Sequence, residues 1–387
     1  MASQVLETAI ALRREGVLVS WIAGIPVTLN PAAIRKRNAD LKQVKRRCAE
    51  SSIPLSIVWL PPAPRTLLLL PVFRRLFLGA AAGSAYKSLR HEHDLSAPVI
   101  LHARSYFATD LALRIRNAAK NHKIPVSFDM RSIFPEEVAM QKPLLGRLLF
   151  ASLKEWELKL LEDSDYAFLP VQFAADRIRQ ESGITVDLIR IQGFDRDPDW
   201  TVDFDRRWQR RALGFSGSVE PWHSPALLAE ICRAIPDTVG HFATAARPQF
   251  AEFSCETWPY SEMHAYYDGL LALIVPGLSR SEQRSYFHRF QLRCNLFSTK
   301  ASEALSRGVP LIVSNELAEL ADFVREHKCG FVYDPIKKTF NVSAKELAAR
   351  PAWEAATQQA IEVGAAFTRR TVMQSYLHCW NGGAGQS

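Results

Sequence analysis

The feature that most narrows the folds open to this chain is an alternation: short β-branched apolar runs recur along it beside stretches of helical spacing. VLVSWIAG at 17–24, SIVWL at 56–60, VILHA at 99–103, VSFDM at 126–130 and YAFLPV at 166–171 read as strands. Helical stretches at 3–14, 31–50, 108–121 and 148–161 accompany them. A second series follows: ALGFSGS at 212–218, VGHFAT at 239–244, GLLALIV at 269–275, PLIVS at 310–314 and GFVY at 330–333, with a helix across 227–234. Alternation at this spacing predicts βαβ units and parallel sheets. At 387 residues the chain exceeds one ordinary core, so two doubly wound α/β domains facing a cleft are the economical arrangement. GFDRDPDWTVDFDRRW at 193–208 interrupts the pattern with Asp, Pro and Gly and reads as the linker. The expected domains are therefore 1–200 and 201–365, with a last helix at 366–387 that packs back on the first domain. In such sheets ligands sit beyond the carboxyl ends of the strands, often on helix N-termini.

Composition removes several function classes. The six cysteines (Cys48, Cys232, Cys255, Cys294, Cys329, Cys379) are scattered, with neither a CxxC pair nor a Cys/His cluster. That spacing argues against a disulfide scaffold or structural zinc and for a reducing, cytoplasmic compartment. The opening MASQVLETAIALRREG mixes Glu7, Arg13, Arg14 and Glu15 into a helical period, unlike a signal peptide. A net charge of +8 asks for an anionic partner. Nucleic acid is not expected, because no binding motif appears and the basic residues do not interleave with aromatics. TLLLLPVFRRLFLGAAAG at 66–83 is strongly apolar, but Pro71 and the Arg74–Arg75 pair interrupt it as a membrane span. A basic apolar helix of this kind suits the headgroup region instead. The helix at 31–50 places Arg35, Lys36, Arg37, Lys42, Lys45, Arg46 and Arg47 around an apolar line of Ile34, Leu41, Val44 and Cys48. Such a charge run is ordinarily a solvated face; joined to 66–83, the alternative is peripheral contact with the anionic inner face of a membrane.

The most specific string is STKASEALSRGVPLIVSNELAELADFVREHKCGFVYDP at 298–335. Ser298 and Thr299 are good N-cap residues for the helix that follows. A helix N-terminus offers free N–H groups and positive dipole to a diphosphate, and Lys300 adds a point charge there. Glu303, one turn later, could accept from two adjacent hydroxyls. An exposed amphipathic helix with an incidental Lys and Glu is the bland alternative. Three further strings matter: LGFSGSVEPWHSPALLAEI at 213–231, VSFDMRSIFPEE at 126–137 and AAFTRRTVMQSYLHCW at 365–380.

Together these segments resemble the glycosyltransferases of the GT-B fold, particularly the large retaining family numbered four. There a helix carrying Lys and Glu runs into a Gly-x-Pro turn and a strand, then a second helix ending near a Gly. Here the matching positions are Lys300, Glu303, Gly308, Pro310 and Gly330. The resemblance implies two Rossmann-like domains and hexosyl transfer, with retention, from a nucleotide-diphosphate sugar to a glycan or lipid-linked acceptor, as in polysaccharide biosynthesis. It assigns Glu303 to the ribose hydroxyls and lets the backbone at Gly217 and Ser218 approach the nucleotide closely. His102 falls near the reacting sugar in the relatives, although a partly buried structural histidine is the alternative. Asp129 and Arg131 stand at a strand end, facing the cleft or pairing with each other. With no obvious nucleophile, the implied route is front-face displacement, Lys300 and the helix N-terminus supplying the electrostatic stabilisation. No metal or other cofactor is expected.

The sequence also departs from that family. The glutamate its members carry eight positions before the residue matching Glu303 is Asn295 here, able to bond a sugar hydroxyl without charge. The Arg and Lys that follow the glycine loop are absent, leaving Lys300 with Arg280 or Arg284 to meet the diphosphate. Family members begin with a strand and a Gly-rich turn; this sequence starts inside the helix that follows, so either its start is truncated or the first strand is missing and the sheet loses a central member. Asp195-Arg196-Asp197 is a literal D-x-D, the metal motif of the other glycosyltransferase fold, and reads as an accident of the linker. Two other readings stay open: an epimerase acting on its own nucleotide sugar, and a degenerate module that binds a nucleotide or a protein without catalysis.

Overall fold

The computed structural model describes residues 2–27, 30–60, 67–92, 98–119, 124–218, 223–245, 253–278, 282, 287, 290 and 298–383. They form two compact units: 1–169 with 175–187 and 380–387, and 170–174 with 188–379.

In unit one, β1 (Trp21–Pro26) and β2 (Leu55–Leu60) pair in parallel from Trp21↔Leu55 to Pro26↔Leu60. Helices α1 (Ala2–Arg14) and α2 (Pro31–Glu50) contribute Leu6, Ala9, Ile10 and Cys48 to a core shared with Ile53, Trp21 and Leu55. The start of α2 is written into the sequence: Asn30 Oδ1 accepts from the backbone N–H of Ala32 at 3.0 Å and Ala33 at 3.3 Å, and Pro31 opens the first turn. After α3 (Pro71–Glu92) come β3 (Leu101–Arg104), α4 (Tyr106–Ala118), β4 (Val126–Asp129), α5 (Phe134–Gln141), α6 (Pro143–Asp163), β5 (Tyr166–Leu169), α7 (Gln172–Ser182) and β6 (Asp187–Leu188). These strands make a separate four-stranded sheet in the order β3-β4-β5-β6, with β3/β4 and β4/β5 parallel. Among the described residues no strand joins it to the β1–β2 pair.

Side chains of α4, α5, α6 and α7 meet in a buried ionic cluster. Tyr106 donates to Glu157, Lys154 bonds Glu157 and stands 3.7 Å from Glu136, and Arg177 approaches Glu136 at 3.2 Å. Burial pushes the Glu136 carboxyl up to about 7, against the opposing pull of Lys154 and Arg177.

The apolar segment at 66–83 is not the uniform interfacial surface its composition suggests. Its first residue, Thr66, lies outside the described part, and Arg74 is buried. The Arg74 guanidinium sits 3.7 Å from the Trp156 ring centroid and 3.7 Å from Asp110 Oδ2. An arginine can be interior here because an aromatic face and a carboxylate replace its water. Val72 (75% exposed), Arg75 and Leu76 (64% exposed) face outward instead.

Unit two holds α8 (Phe204–Arg210), β7 (Ala212–Ser216), α9 (Pro225–Arg233), β8 (Val239–Ala243), β9 (Ser254–Glu256), α10 (Met263–Asp268), β10 (Ala272–Val275) and α11 (Thr299–Ser306). It continues with β11 (Leu311–Ser314), α12 (Ala318–His327), β12 (Gly330–Asp334), β13 (Thr339–Phe340), α13 (Ala344–Ala348), α14 (Arg350–Gly364) and α15 (Arg369–Gly383). The sheet runs β13-β12-β11-β10-β7-β8-β9, parallel except for the β12–β13 pair. The chain lays β8 and β9 outward from β7, then returns to place β10 on the other side of β7. That reversal between β7 and β10 is the switch point of a doubly wound sheet, where the strand ends leave room for a ligand.

The expected linker at 193–208 instead lies wholly within unit two and is tied into it at both ends. Gly193 N–H donates to Phe367 O at 2.7 Å, and Phe194 N–H to Ser306 Oγ at 2.8 Å. Arg207, fully buried, donates to the carbonyls of Gly308, Arg307 and Asp268 at 2.6, 2.9 and 3.1 Å. Its guanidinium satisfies carbonyls at the end of α11 that would otherwise be orphaned. The units therefore divide at 187/188 rather than near 200, and of the last helix only the part from Trp380 onward joins unit one.

Candidate functional site

The first cluster sits at the carboxyl end of β7. The strand ends at Ser216, and Gly217 turns the chain with φ +94, a conformation that suits glycine. A Cβ built on Gly217 meets nothing within 4 Å, so the turn borders open space. Residues 219–222 lie outside the description, and the chain resumes at His223 and Ser224, whose hydroxyl accepts from Leu227 N at 3.1 Å to start α9.

α11 brings the Lys and Glu of the recognised string to the same place. Ser298 occupies the N-cap position, but its hydroxyl makes no capping bond and Ser298 Oγ is buried without a hydrogen-bond partner among the described residues. The first turn thus lacks the side-chain cap expected of Ser298. Lys300 Nζ lies 4.2 Å from the Phe215 ring centroid and 3.3 Å from His223 Nε2. Burial, then the Lys300 charge, hold the His223 imidazole far below its usual range, so its neutral ring can accept from the ammonium. At the far end, Gly308 (φ +59) ends α11 in the left-handed turn that leads through Pro310 into β11; a Cβ there would stand 2.6 Å from Ile361 Cγ1.

Glu303, 5% exposed, accepts from Tyr267 OH at 2.9 Å, and Tyr267 OH lies 2.8 Å from Ser216 Oγ. Since the phenol has one hydrogen and gives it to the carboxylate, Ser216 is the donor in the second bond. Burial drives the Glu303 carboxyl up to about 7, while hydrogen bonds from Tyr267 and Tyr260 and the charges of Arg369 and Lys300 pull the other way. A carboxylate poised between its two forms, beside an ammonium and an open loop, can take hydroxyl donors from a ligand.

The second cluster belongs to unit one and gathers the three other expected residues. His102 on β3 places Nδ1 3.0 Å from Ser127 Oγ and Nε2 3.9 Å from Asp129 Oδ2. Arg131 Nε donates to Asp129 Oδ2 at 2.6 Å, so Asp129 and Arg131 do pair with each other. Burial alone would raise the Asp129 pKa, but Arg131, Arg104 and His102 outweigh it and hold the carboxylate ionised. Burial also pulls His102 down to about 4. Asn295, Arg280 and Arg284 fall outside the described residues.

In the D-x-D, Asp195 Oδ1 accepts from Arg370 N at 2.9 Å at the start of α15. Among the described residues no group of three His, Cys, Asp or Glu could hold an ion. Phe215, Ser216, His223, Tyr260 and Tyr267 were missed by sequence reasoning. Only His223, directly before the Ser-Pro start of α9, carried a local signal.

No protein-family model matches the sequence, and no curated protein matches it either. Solved structures do match over nearly the whole chain. Sucrose-phosphate synthase from Thermosynechococcus elongatus superposes with a TM-score of 0.60 at 13% identity, covering 99% of this chain and 93% of that one. The alpha,alpha-trehalose 6-phosphate synthase from Burkholderia multivorans gives 0.55 at 11%, covering 95% and 96%. UGT2 of Phytolacca americana, complexed with UDP-2fluoro-glucose and pterostilbene, gives 0.51 at 12%, covering 97% and 95%. At these identities the likeness is one of architecture, and it agrees with the sheet order: the chain has the GT-B glycosyltransferase fold.

Proposed function

We propose that the protein is a retaining glycosyltransferase of family four, moving a hexosyl group from a nucleotide-diphosphate sugar to a glycan or lipid-linked acceptor. The observation that carries this reading is the buried Glu303 carboxylate, shared with Tyr267, beside Lys300 and the open Gly217 turn at the switch point of unit two. In this reading Glu303 accepts from the ribose hydroxyls, and Lys300 with the amides of Gly217, Ser218 and the α11 N-terminus meets the diphosphate. A neighbour of the same fold complexed with UDP-2fluoro-glucose supports a nucleotide sugar as the donor class.

The chemistry follows from charge. Lys300 and the helix dipole stabilise the departing diphosphate, so no divalent metal is required. The acceptor oxygen bonds the anomeric carbon on the face from which the phosphate oxygen leaves, and the acceptor proton passes to that phosphate. His102, Asp129 and Arg131 are assigned to the acceptor side.

Among the described residues no helix is long and apolar enough to cross a membrane. A cytoplasmic enzyme held at the anionic inner face is our reading, supported by the exposed Arg35, Lys36, Lys42, Lys45 and Arg46 of α2 and by Val72, Arg75 and Leu76 of α3.

The test is a thermal-shift and calorimetric screen of nucleoside diphosphates and their sugars, then product analysis with each binding donor. Binding with transfer supports the enzyme, binding with neither transfer nor hydrolysis points to the degenerate module, and no binding by any diphosphate ends the reading.

A further inference from the structure

His102 is enclosed from two directions. From β4, Ser127 and Asp129 meet its two ring nitrogens at 3.0 and 3.9 Å. From the last helix, the Trp380 indole approaches edge-on, with ring centroids 5.4 Å apart and planes at 66°. Trp380 is 8% exposed, and its backbone carbonyl accepts from Tyr166 OH at 3.2 Å, so β5 anchors the segment that carries the indole. All these residues belong to unit one.

We propose that Trp380 is a positioning residue for His102: it closes over the imidazole and fixes the neutral tautomer that carries its hydrogen on Nε2. The tautomer follows from the two partners. A carboxylate facing Nε2 favours a hydrogen there, and the Ser127 hydroxyl then donates to the Nδ1 lone pair. The charged groups around the ring are Asp129 from β4, Arg104 from β3 and Arg131 just beyond β4. Asp129 favours the imidazolium and the two arginines oppose it, but burial is the largest influence. Trp380 supplies part of that burial. Removing the indole admits water, restores hydration to the charged ring and frees it to turn.

The proposal is independent of any donor or acceptor, because its readout is the histidine itself. In the full-length protein labelled with ¹⁵N-histidine, the His102 ring signals are assigned by their loss in His102→Gln and followed from about pH 3 to 8. The wild type is expected to titrate near 4 and to show the Nε2–H pattern. Trp380→Ala is expected to raise the midpoint by about one unit or more, a tenfold change in ionisation constant, and to mix the tautomers. Trp380→Phe is expected to return both to wild-type values, which a purely global loosening would not do. A wild-type midpoint near 6.5 or an Nδ1–H pattern overturns the proposal without any variant. So does a folded Trp380→Ala protein in which midpoint and tautomer stay unchanged.

Discussion

The hydroxyl of Tyr267 stands 2.9 Å from Oε2 of Glu303, and Tyr267 is fully buried. This bond, with a second from Tyr260, holds a titratable group in place at the switch point of the sheet, and Ser216 supports the Tyr267 phenol from behind. A ligand hydroxyl that reaches Glu303 joins a network already oriented, which lowers the ordering cost of binding.

The first prediction concerns pH. With its pKa raised from 4.5 to about 7 by burial, Glu303 keeps a proton in the native state that the unfolded chain has lost. Stability from this group is therefore lost as pH rises through that window. Glu303→Gln should melt higher than the wild type at pH 8 without nucleotide, by up to roughly 2–3 kcal/mol, and the difference should shrink toward pH 5. Paired thermal melts across pH check it.

Nucleotide affinity should move the opposite way. Ribose hydroxyls donate to the ionised carboxylate, so binding of a nucleoside diphosphate should strengthen from pH 6 to 8 in the wild type and less in Glu303→Gln. Glu303→Ala should lose about 1–3 kcal/mol at pH 8. Calorimetric titration decides it, and an affinity unchanged in both Glu303→Ala and Lys300→Ala removes the site assignment.

Lys300 should act on the diphosphate rather than the nucleoside. Lys300→Ala should weaken a nucleoside diphosphate by tenfold or so, about 1.4 kcal/mol, while leaving the parent nucleoside nearly unaffected. Lys300→Arg should not restore binding, because the ammonium sits between the Phe215 face and His223, a seat for a compact charge. Turnover should survive chelator; loss with rescue by manganese would refute the metal-free route.

Much of this was legible in the sequence because it is local. The helix beginning at Pro31 and the Lys300–Pro310 string are each set by neighbours in sequence, where helix period speaks directly. The partners of Glu303 were not legible: Tyr267 lies 36 residues away and Ser216 lies 51 from Tyr267, joined by sheet order alone. The stretch at 193–208 misled for the same reason. Its Asp, Pro and Gly residues look like an open linker, whereas Phe194 and Arg207 find partners about a hundred residues downstream.

The ionic cluster of unit one should be unforgiving. Lys154→Met leaves Glu136 and Glu157 facing each other in the interior and should cost about 3–5 kcal/mol, as for other broken buried pairs. The loss should be smaller at pH 5 than at pH 8, because the raised pKa of Glu136 lets it take a proton. Chemical denaturation at the two pH values measures this.

Binding to anionic vesicles should fall steeply with salt and vanish on neutral ones. The informative variant changes Arg35, Lys36, Lys42, Lys45 and Arg46 to Gln. It spares Arg47, which pairs with Glu7, and Arg37, which lies 5.2 Å from the Trp59 ring centroid. Equal co-sedimentation of wild type and variant would make α2 a solvated face only.

The two-stranded sheet of unit one has a kinetic consequence. Strands β1 and β2 share six residue pairs and lean on α1 and α2 through a small core of their own. A lone pair of strands is marginal without such cover. Amide hydrogens along residues 21–26 and 55–60 should therefore exchange through a partial opening that leaves β3, β4 and β5 protected. The protein would then breathe at this pair of strands long before it unfolds.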